Sequence, residues 1–228
     1  MKFTSTLIKG KLIKRYKRFF TDIKVNNTTV TAHCPNTGSM FGLLKEGNEA
    51  WISKANDPKR KLKFTLEILK VNQILVGVNT HRANRIVEHG LKNKLINEFK
   101  LIKNIKAEFK FSKDTRFDFL CDKKILEVKN VTLTRQPNLA EFPDAVTTRG
   151  SKHLAKLIDS IDKNYEPYVL FLTQIQNINN FRIAKDIDHI YFENYKKAKK
   201  AGVKFLAYRC KLSSKEIKIE KKINILDD

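Results

Sequence analysis

Three charged residues interrupt a run of strand formers at residues 117–130, FDFLCDKKILEVKN, and their types and spacing suit one kind of chemistry. Asp118 stands nine residues before Glu127, and Lys129 follows Glu127 at the second position. Side chains alternate across a strand, so Glu127 and Lys129 share one face with Ile125 while Leu126 and Val128 share the other. The polar pair Asp122-Lys123 between two apolar runs fits a two-residue hairpin, which sets Asp118 against Glu127. Directly opposed residues have Cβ atoms about 4.5–5.5 Å apart, where two carboxylates repel. A positive charge should therefore lie between them. Lys129 is one candidate, and a divalent cation with oxygen ligands, Mg²⁺ or Mn²⁺, is another. With the cation, the set matches what phosphodiester hydrolysis requires. Asp118 and Glu127 would hold a metal that polarises phosphate and acidifies water, and Lys129 would orient that water and balance developing charge. Without it, the same three residues are a solvated strand face.

The elements that must position this set are read from changes of period along the chain. Up to about Thr80 the pattern is short strand-like runs (FTSTLIKGKLIK, FFTDIKV, TTVTAHC, EAWISKA, KLKFTLEILKV, ILVGVNT) separated by Asn, Gly and Pro turns. Several short strands in so few residues predict a small barrel, and a basic barrel with aromatic residues suits an OB-type fold that binds nucleic acid. From residue 83 the spacing of Ile86, Val87, Leu91, Leu95 and Ile96 predicts a helix reaching residue 99, weakened by Gly90. Three strands follow (EFKF, RFDFLC, KILEVKNVTL), then a helix in SKHLAKLIDSIDKN with Ser151 as its N-cap, the buried strand YVLFLTQ, a helix in DHIYFENYKKAKKAG closed by Gly202, and the strand VKFLAYRC. This order, α, β, β, β, α, β, α, β, predicts an α/β sheet covered by helices and a boundary near residue 80, giving units at 1–80 and 81–228.

Forty-six Lys plus Arg against 24 Asp plus Glu leave a net charge of +22, which points to a polyanionic partner, most simply nucleic acid. Only ten of the 46 are Arg, so part of the excess reflects a Lys-rich composition. No run approaches the roughly 20 apolar residues of a membrane span, and the first residues are too interrupted for a signal peptide, so a cytoplasmic protein is expected. Cys34, Cys121 and Cys210 are too few and too scattered for a disulfide framework or a Cys-x-x-Cys metal site, and are read as free thiols.

The Asp…Glu-x-Lys spacing and the helix order are those of the PD-(D/E)xK nuclease-like fold. Five longer stretches, RYKRF at 15–19, HCPNTGSM at 33–40, VGVNT at 76–80, EVKNVTL at 127–133 and FPDAVTTRGSKHL at 142–154, closely resemble the sugar fermentation stimulation protein A family over nearly the whole chain. The resemblance implies an amino-terminal OB-like barrel, a carboxy-terminal PD-(D/E)xK α/β domain and DNA binding. Its metal-site positions fall on Asp118, Glu127 and Lys129, with Glu88 on the preceding helix as a further carboxylate. Thr115 departs from relatives, which often carry Ser before Arg-x-Asp; the hydroxyl is kept. Two functions stay open: a metal-dependent nuclease, or a non-enzymatic DNA-binding regulator built on the same scaffold. The barrel would suit single strands of RNA as well as DNA.

Further candidates surround this core. His33 and Cys34 are adjacent on a strand and point to opposite faces, which disfavours a base and nucleophile pair. The loop after them offers backbone N–H groups and the Thr37 and Ser39 hydroxyls to phosphate, or is simply a turn. Arg15, Lys17 and Arg18, interleaved with Tyr16 and Phe19, suit charge neutralisation with base stacking, or form a solvated strand. Arg149 and His153 near a helix start could reach phosphate, whereas Lys196 to Lys200 need only complement a helix dipole.

Overall fold

The computed structural model describes residues 1–226. Six strands come first: β1 (Ile8–Tyr16), β2 (Phe20–Val25), β3 (Thr28–His33), β4 (Glu49–Lys54), β5 (Phe64–Val71) and β6 (Ile74–Gly77). Leu12, Ile23, Ala32, Ala50, Ile52 and Leu66, one or more from each of the first five strands, are buried together, as the period of two requires when one face turns inward. β3 pairs with β2 on one side and with β5 on the other, so the order β3-β2-β1-β4-β5 closes on itself as an OB-like barrel. β6 extends β5 as a hairpin and is stitched to the rest of the chain, where Gly77 N–H donates to the Gln174 carbonyl at 2.8 Å.

A 3₁₀ turn (Thr80–Arg82) leads into α1 (Ala83–Lys92). Then follow β7 (Ile105–Lys110), β8 (Arg116–Cys121), β9 (Lys124–Val131), β10 (Leu133–Gln136), β11 (Leu139–Phe142), α2 (Thr148–Ile161), β12 (Glu166–Thr173), β13 (Asn180–Ile183), α3 (His189–Ala201), β14 (Lys204–Leu212), β15 (Ile217–Lys222) and β16 (Asn224–Ile225). The larger sheet runs β15-β14-β12-β9-β8-β7, with β9, β12 and β14 parallel and the outer strands antiparallel. β12 lies at its centre and is buried along all but its first residue, which is why residues 168–172, YVLFL, form an unbroken hydrophobic run. α1 covers one face through Ile86, Val87 and Leu91 against Leu126, Val128 and Leu170. Helices α2 and α3 cover the other through Leu154, Leu157 and Tyr191 against Ile125, Val169 and Phe171. This is the PD-(D/E)xK, restriction-endonuclease-like arrangement.

Two local expectations differ from the structure. The helix from residue 83 ends at Lys92 because Lys94 takes a left-handed φ of 57°, and Leu95 N–H then closes back on the Gly90 carbonyl at 2.8 Å. Gly90 is helical, and its missing Cβ makes room for Ile219, whose Cδ1 would lie only 2.6 Å away. α2 starts earlier than expected, since Thr147 rather than Ser151 is its N-cap and accepts from Gly150 N–H at 3.1 Å. A second sheet, β10-β11-β13-β16, was not legible in the sequence. Buried Glu141 on β11 anchors it, taking two bonds from Arg135 at 2.8 Å and one from Arg182 at 3.0 Å.

Candidate metal and nucleic-acid site

β8 and β9 join through a tight turn in which Asp122 has φ of 52°. Cys121 pairs with Lys124, Leu120 with Ile125 and Phe119 with Leu126, the expected register. There the ladder stops. Asp118, next in line, turns its carboxylate into the opening gap, where Oδ2 accepts from Val128 N–H at 2.7 Å and Oδ1 from the Asn84 amide of α1 at 2.7 Å. A side chain thus takes the hydrogen bond that a strand partner would have made. The opposite neighbour is distorted too: Glu108 on β7 has φ of 53°, and its pair with Asp118 is missing between Ala107–Phe119 and Phe109–Phe117. Phe117 and Phe119 then pack into cores on different faces of the sheet, although two residues apart on one strand. The splayed edge makes room for a site.

Glu127 lies on β9, its side chain 5% exposed. Its Oε1 accepts from Lys129 Nζ at 2.7 Å and is bonded to Nδ1 of His153 on α2. Its Oε2 is buried and has no hydrogen-bond partner among the described residues. Burial pushes the Glu127 carboxyl up, but the Lys129 ammonium and the His153 imidazole outweigh burial and hold it below the ordinary range. Asp118 is pushed the other way, to about 6, first by burial and then by the charge of Glu127, against the opposing pull of its two donors and Lys129. Two electrostatically coupled carboxylates are thus shifted in opposite directions, a pattern common at functional sites. Lys129 is the neutralising charge in the metal-free chain. The donor set also fits a hard cation, which takes carboxylate oxygens: one Glu127 oxygen is buried and unused, and each Asp118 oxygen keeps a lone pair.

Glu88 does not join them. Its carboxylate pairs with Lys92 one turn along the outer face of α1, and the residue of that helix which reaches Asp118 is Asn84, one turn earlier. Among the described residues no group of three or more His, Cys, Asp or Glu side chains is disposed to hold a metal, so the carboxylate set is two. Asn84 escaped sequence reasoning because only carboxylates were sought; sharing a helix face with Glu88 at i, i+4 was the available signal. Beside His153 opens a cleft of about 630 Å³ lined by Lys110, Lys113, Arg116, Arg149 and Lys152, with Asp114 as the one acid.

The amino-terminal region, residues 13–78, matches the family profile described as SfsA N-terminal OB domain, and residues 81–216 match the Sugar fermentation stimulation protein RE domain. The chain belongs to the sugar fermentation stimulation protein A family. It is 64% identical over 231 residues to the sugar fermentation stimulation protein homolog of Pelagibacter ubique (strain HTCC1062), covering 100% of both chains. To the homolog of Maricaulis maris (strain MCS10) it is 37% identical, covering 99% of this chain and 98% of the relative. A solved structure of Pyrococcus furiosus SfsA in complex with Ca²⁺ superposes with a TM-score of 0.88 at 21% identity, covering 100% of this chain and 98% of that one, which shows the shared fold.

In this member of the sugar fermentation stimulation family the barrel places its candidates unequally. Lys17 and Arg18 form the β1–β2 hairpin tip, at φ of 47° and 60°, with Phe19 44% exposed beside them. Thr37 and Ser39 are exposed on the HCPNTGSM loop. Arg15 is different: its guanidinium donates to the carbonyls of Arg18 (2.8 Å), Gly38 (3.1 Å) and Asn36 (2.7 Å), which ties that loop to the hairpin. Cys34 is buried with Sγ against Met40, while His33 stacks on Phe19, so the two serve separate surroundings. The FPDAV stretch meets the loop where the Asp144 carboxylate presses on Gly38; an added Cβ would lie 1.9 Å from Asp144 Oδ2. Gly38→Ala is therefore expected to push the Asp144 carboxylate aside, and because that is the end of a flexible, half-buried side chain the cost should stay at or below about 1 kcal/mol, under the range of core overpacking, read as a small fall in the urea midpoint. A loss of several kcal/mol would show that Asp144 is held rigidly against the loop.

Proposed function

We propose that this protein binds nucleic acid, DNA foremost, largely without regard to sequence, and hydrolyses its phosphodiester backbone with Mg²⁺ or Mn²⁺. The observation that carries the reading is the buried, unpartnered Oε2 of Glu127 beside Asp118, in a cluster where the sheet edge is splayed. Asp118 and Glu127 are the residues that would hold the ion, which when bound would activate water and polarise phosphate. Lys129 positions and neutralises on one side of Glu127, His153 on the other. The Pyrococcus furiosus relative is described in complex with Ca²⁺, which accords with an oxygen-seeking divalent ion as the cation here. The basic cleft at Arg149 and Lys152 and the barrel tip at Lys17 and Arg18 supply phosphate contacts, with Phe19 as a stacking surface. A cytoplasmic setting accords with three free, buried thiols, and no helix among the described residues is long and apolar enough to cross a membrane.

The test is purified protein with labelled DNA in Mg²⁺, Mn²⁺ or chelator, beside Asp118→Asn. Cleavage that needs metal and disappears in the variant is expected. Metal-independent cleavage, or none with either ion, would overturn the enzymatic half. The second reading, a DNA-binding regulator without catalysis, is favoured by one observation: Lys129 and His153 both bond Glu127 Oε1 and can serve as its counter-charge. It predicts DNA binding indifferent to metal.

Binding dominated by backbone contacts should weaken steeply with salt, and replacing Lys17 or Arg18 by Ala should lower the salt slope by about one each. Arg15→Ala should act differently, through stability, because its donors serve loop carbonyls. Unrelated duplexes differing more than about a hundredfold in affinity would contradict backbone-dominated binding.

A further inference from the structure

A second pocket, which Asp118 and Glu127 do not line, opens where the end of β3 and the β4–β5 connection meet the start of α1. Its volume is about 610 Å³, and it is lined by Arg60, Arg82, Arg85, Lys54, His33 and His81. Composition does not account for this. The chain has only ten arginines and five histidines among its 228 residues, yet three of the former and two of the latter converge here from four segments of the fold. Lysine excess on a basic surface would have given lysines.

The one carboxylate in the wall, Glu67, is 1% exposed and already saturated. It takes two bonds from Arg82, one from Ser53 at 2.6 Å and one from Asn79 at 2.9 Å. Those bonds fix Arg82 in place while leaving N–H groups of its guanidinium unspent. Arg60 is also oriented, donating to the Thr65 hydroxyl at 3.0 Å, whereas Arg85 and Lys54 have no acidic partner among the described residues. His33 and His81 stand with ring centroids 6.4 Å apart, and His33 stacks in turn on Phe19 at 6.4 Å. Burial, the charge of Arg60 and the neighbouring His81 together hold His33 below its ordinary pKa. The groups facing His33 are thus cationic or cationic on protonation, with Glu67 neutralised by Arg82.

We propose that this pocket binds a phosphoryl group, with Arg60, Arg82 and Arg85 as its donors and the His33–His81 pair as its flank. Fixed guanidinium forks match phosphate oxygens in geometry and charge, which flexible lysines do not. The phosphoryl group belongs either to a free nucleotide or to a nucleic-acid chain crossing the barrel. The site needs neither metal nor catalysis, so it stands or falls apart from the reading of Asp118 and Glu127.

The experiment is titration of the full chain with inorganic phosphate, a nucleoside monophosphate, and oligonucleotides with and without a 5′ phosphate, watching the imidazole NMR signals of His33 and His81. A bound anion should move both signals and raise the pH at which His33 titrates. Arg60→Ala and Arg85→Ala should each weaken mononucleotide or phosphate binding by about tenfold or more, the loss expected for a hydrogen bond to a charged group. Asp118→Asn should leave that binding unchanged. The single variant Lys200→Ala on α3 removes equal charge elsewhere and serves as control. Response to the mononucleotide assigns a free ligand, and response to oligonucleotides alone assigns a chain. Silent histidines with every ligand, or arginine variants no weaker than the lysine control, would overturn the proposal.

Discussion

In metal-free buffer at pH 8, Asp118→Asn should be more stable than the parent chain, by about 1–3 kcal/mol, although it removes a hydrogen-bonded side-chain charge. Burial and the charge of Glu127 raise the Asp118 carboxyl from 3.8 to about 6 in the folded protein. A carboxyl whose folded pKa lies above its unfolded value holds its proton more tightly when folded. Its penalty is absent below the unfolded value, grows as pH rises between the two, and is complete above the folded one. A difference of about two units corresponds to about 3 kcal/mol. Asparagine never ionises and escapes the penalty. It keeps an amide oxygen for Val128 N–H, and the Asn84 amide can turn to present its own oxygen, so little hydrogen bonding is lost. Urea melts of both chains at pH 4 and pH 8 measure this. The gap should open only at the higher pH, and a parent chain that is more stable at both would refute the coupled-carboxylate picture.

Divalent metal reverses the ranking. An ion bound only by the folded state stabilises it by about 2.7 kcal/mol at a hundred times its dissociation constant. The parent should show such a gain with Mg²⁺ or Mn²⁺, while Asp118→Asn and Glu127→Gln should gain much less. The gain should fade below about pH 6, where Asp118 takes up a proton. If metal without DNA does nothing, the substrate phosphate is a needed ligand; the same silence with DNA present rejects the metal site.

How far this was legible in the sequence depends on which interaction decided each element. Every barrel strand and the buried β12 follow from hydrophobic period, because burial of alternate or successive side chains is itself what forms them. The hairpin register was also legible at its turn, from Asp122-Lys123, and failed one pair further on. At that pair the burial of the Asp118 carboxylate between two donors outweighs continuation of the ladder, a tertiary effect no local pattern carries. Arg15 illustrates a similar limit. Its type and neighbours suited phosphate, but the carbonyls of Asn36 and Gly38, distant in sequence, claim its donors. Glu88 and Asn84 occupy one helix face, and only the depth of α1 against β8 selects the latter. The hairpin geometry and the family resemblance pointed to Asp118, Glu127 and Lys129 as candidates, while the orphaned oxygen of Glu127 and the Lys129 and His153 contacts required coordinates.

Lys129→Met should lose cleavage and keep nucleic-acid binding, and its stability should depend on metal more strongly than the parent's. The Lys129 and Glu127 side chains are 13% and 5% exposed, so their pair is buried. Removing one member of a buried ion pair strands the other and costs about 3–5 kcal/mol. His153 still bonds Glu127 and should soften that loss without abolishing it. Mg²⁺ or Mn²⁺ bound at Glu127 would replace the missing ammonium as counter-charge, so the variant should recover more stability from the ion than the parent gains. Cleavage should stay about 10²–10³ lower even when the ion has restored the fold, because an electrostatic partner of the reacting phosphate is gone. Melts with and without metal, and cleavage assayed below the variant's melting temperature, separate the two effects. A double variant, Glu127→Gln with Lys129→Met, should recover stability without metal, since no charge is left stranded. A variant that cuts as well as the parent would remove Lys129 from the reaction, and one as stable as the parent without metal would show that the ammonium was never the counter-charge of Glu127.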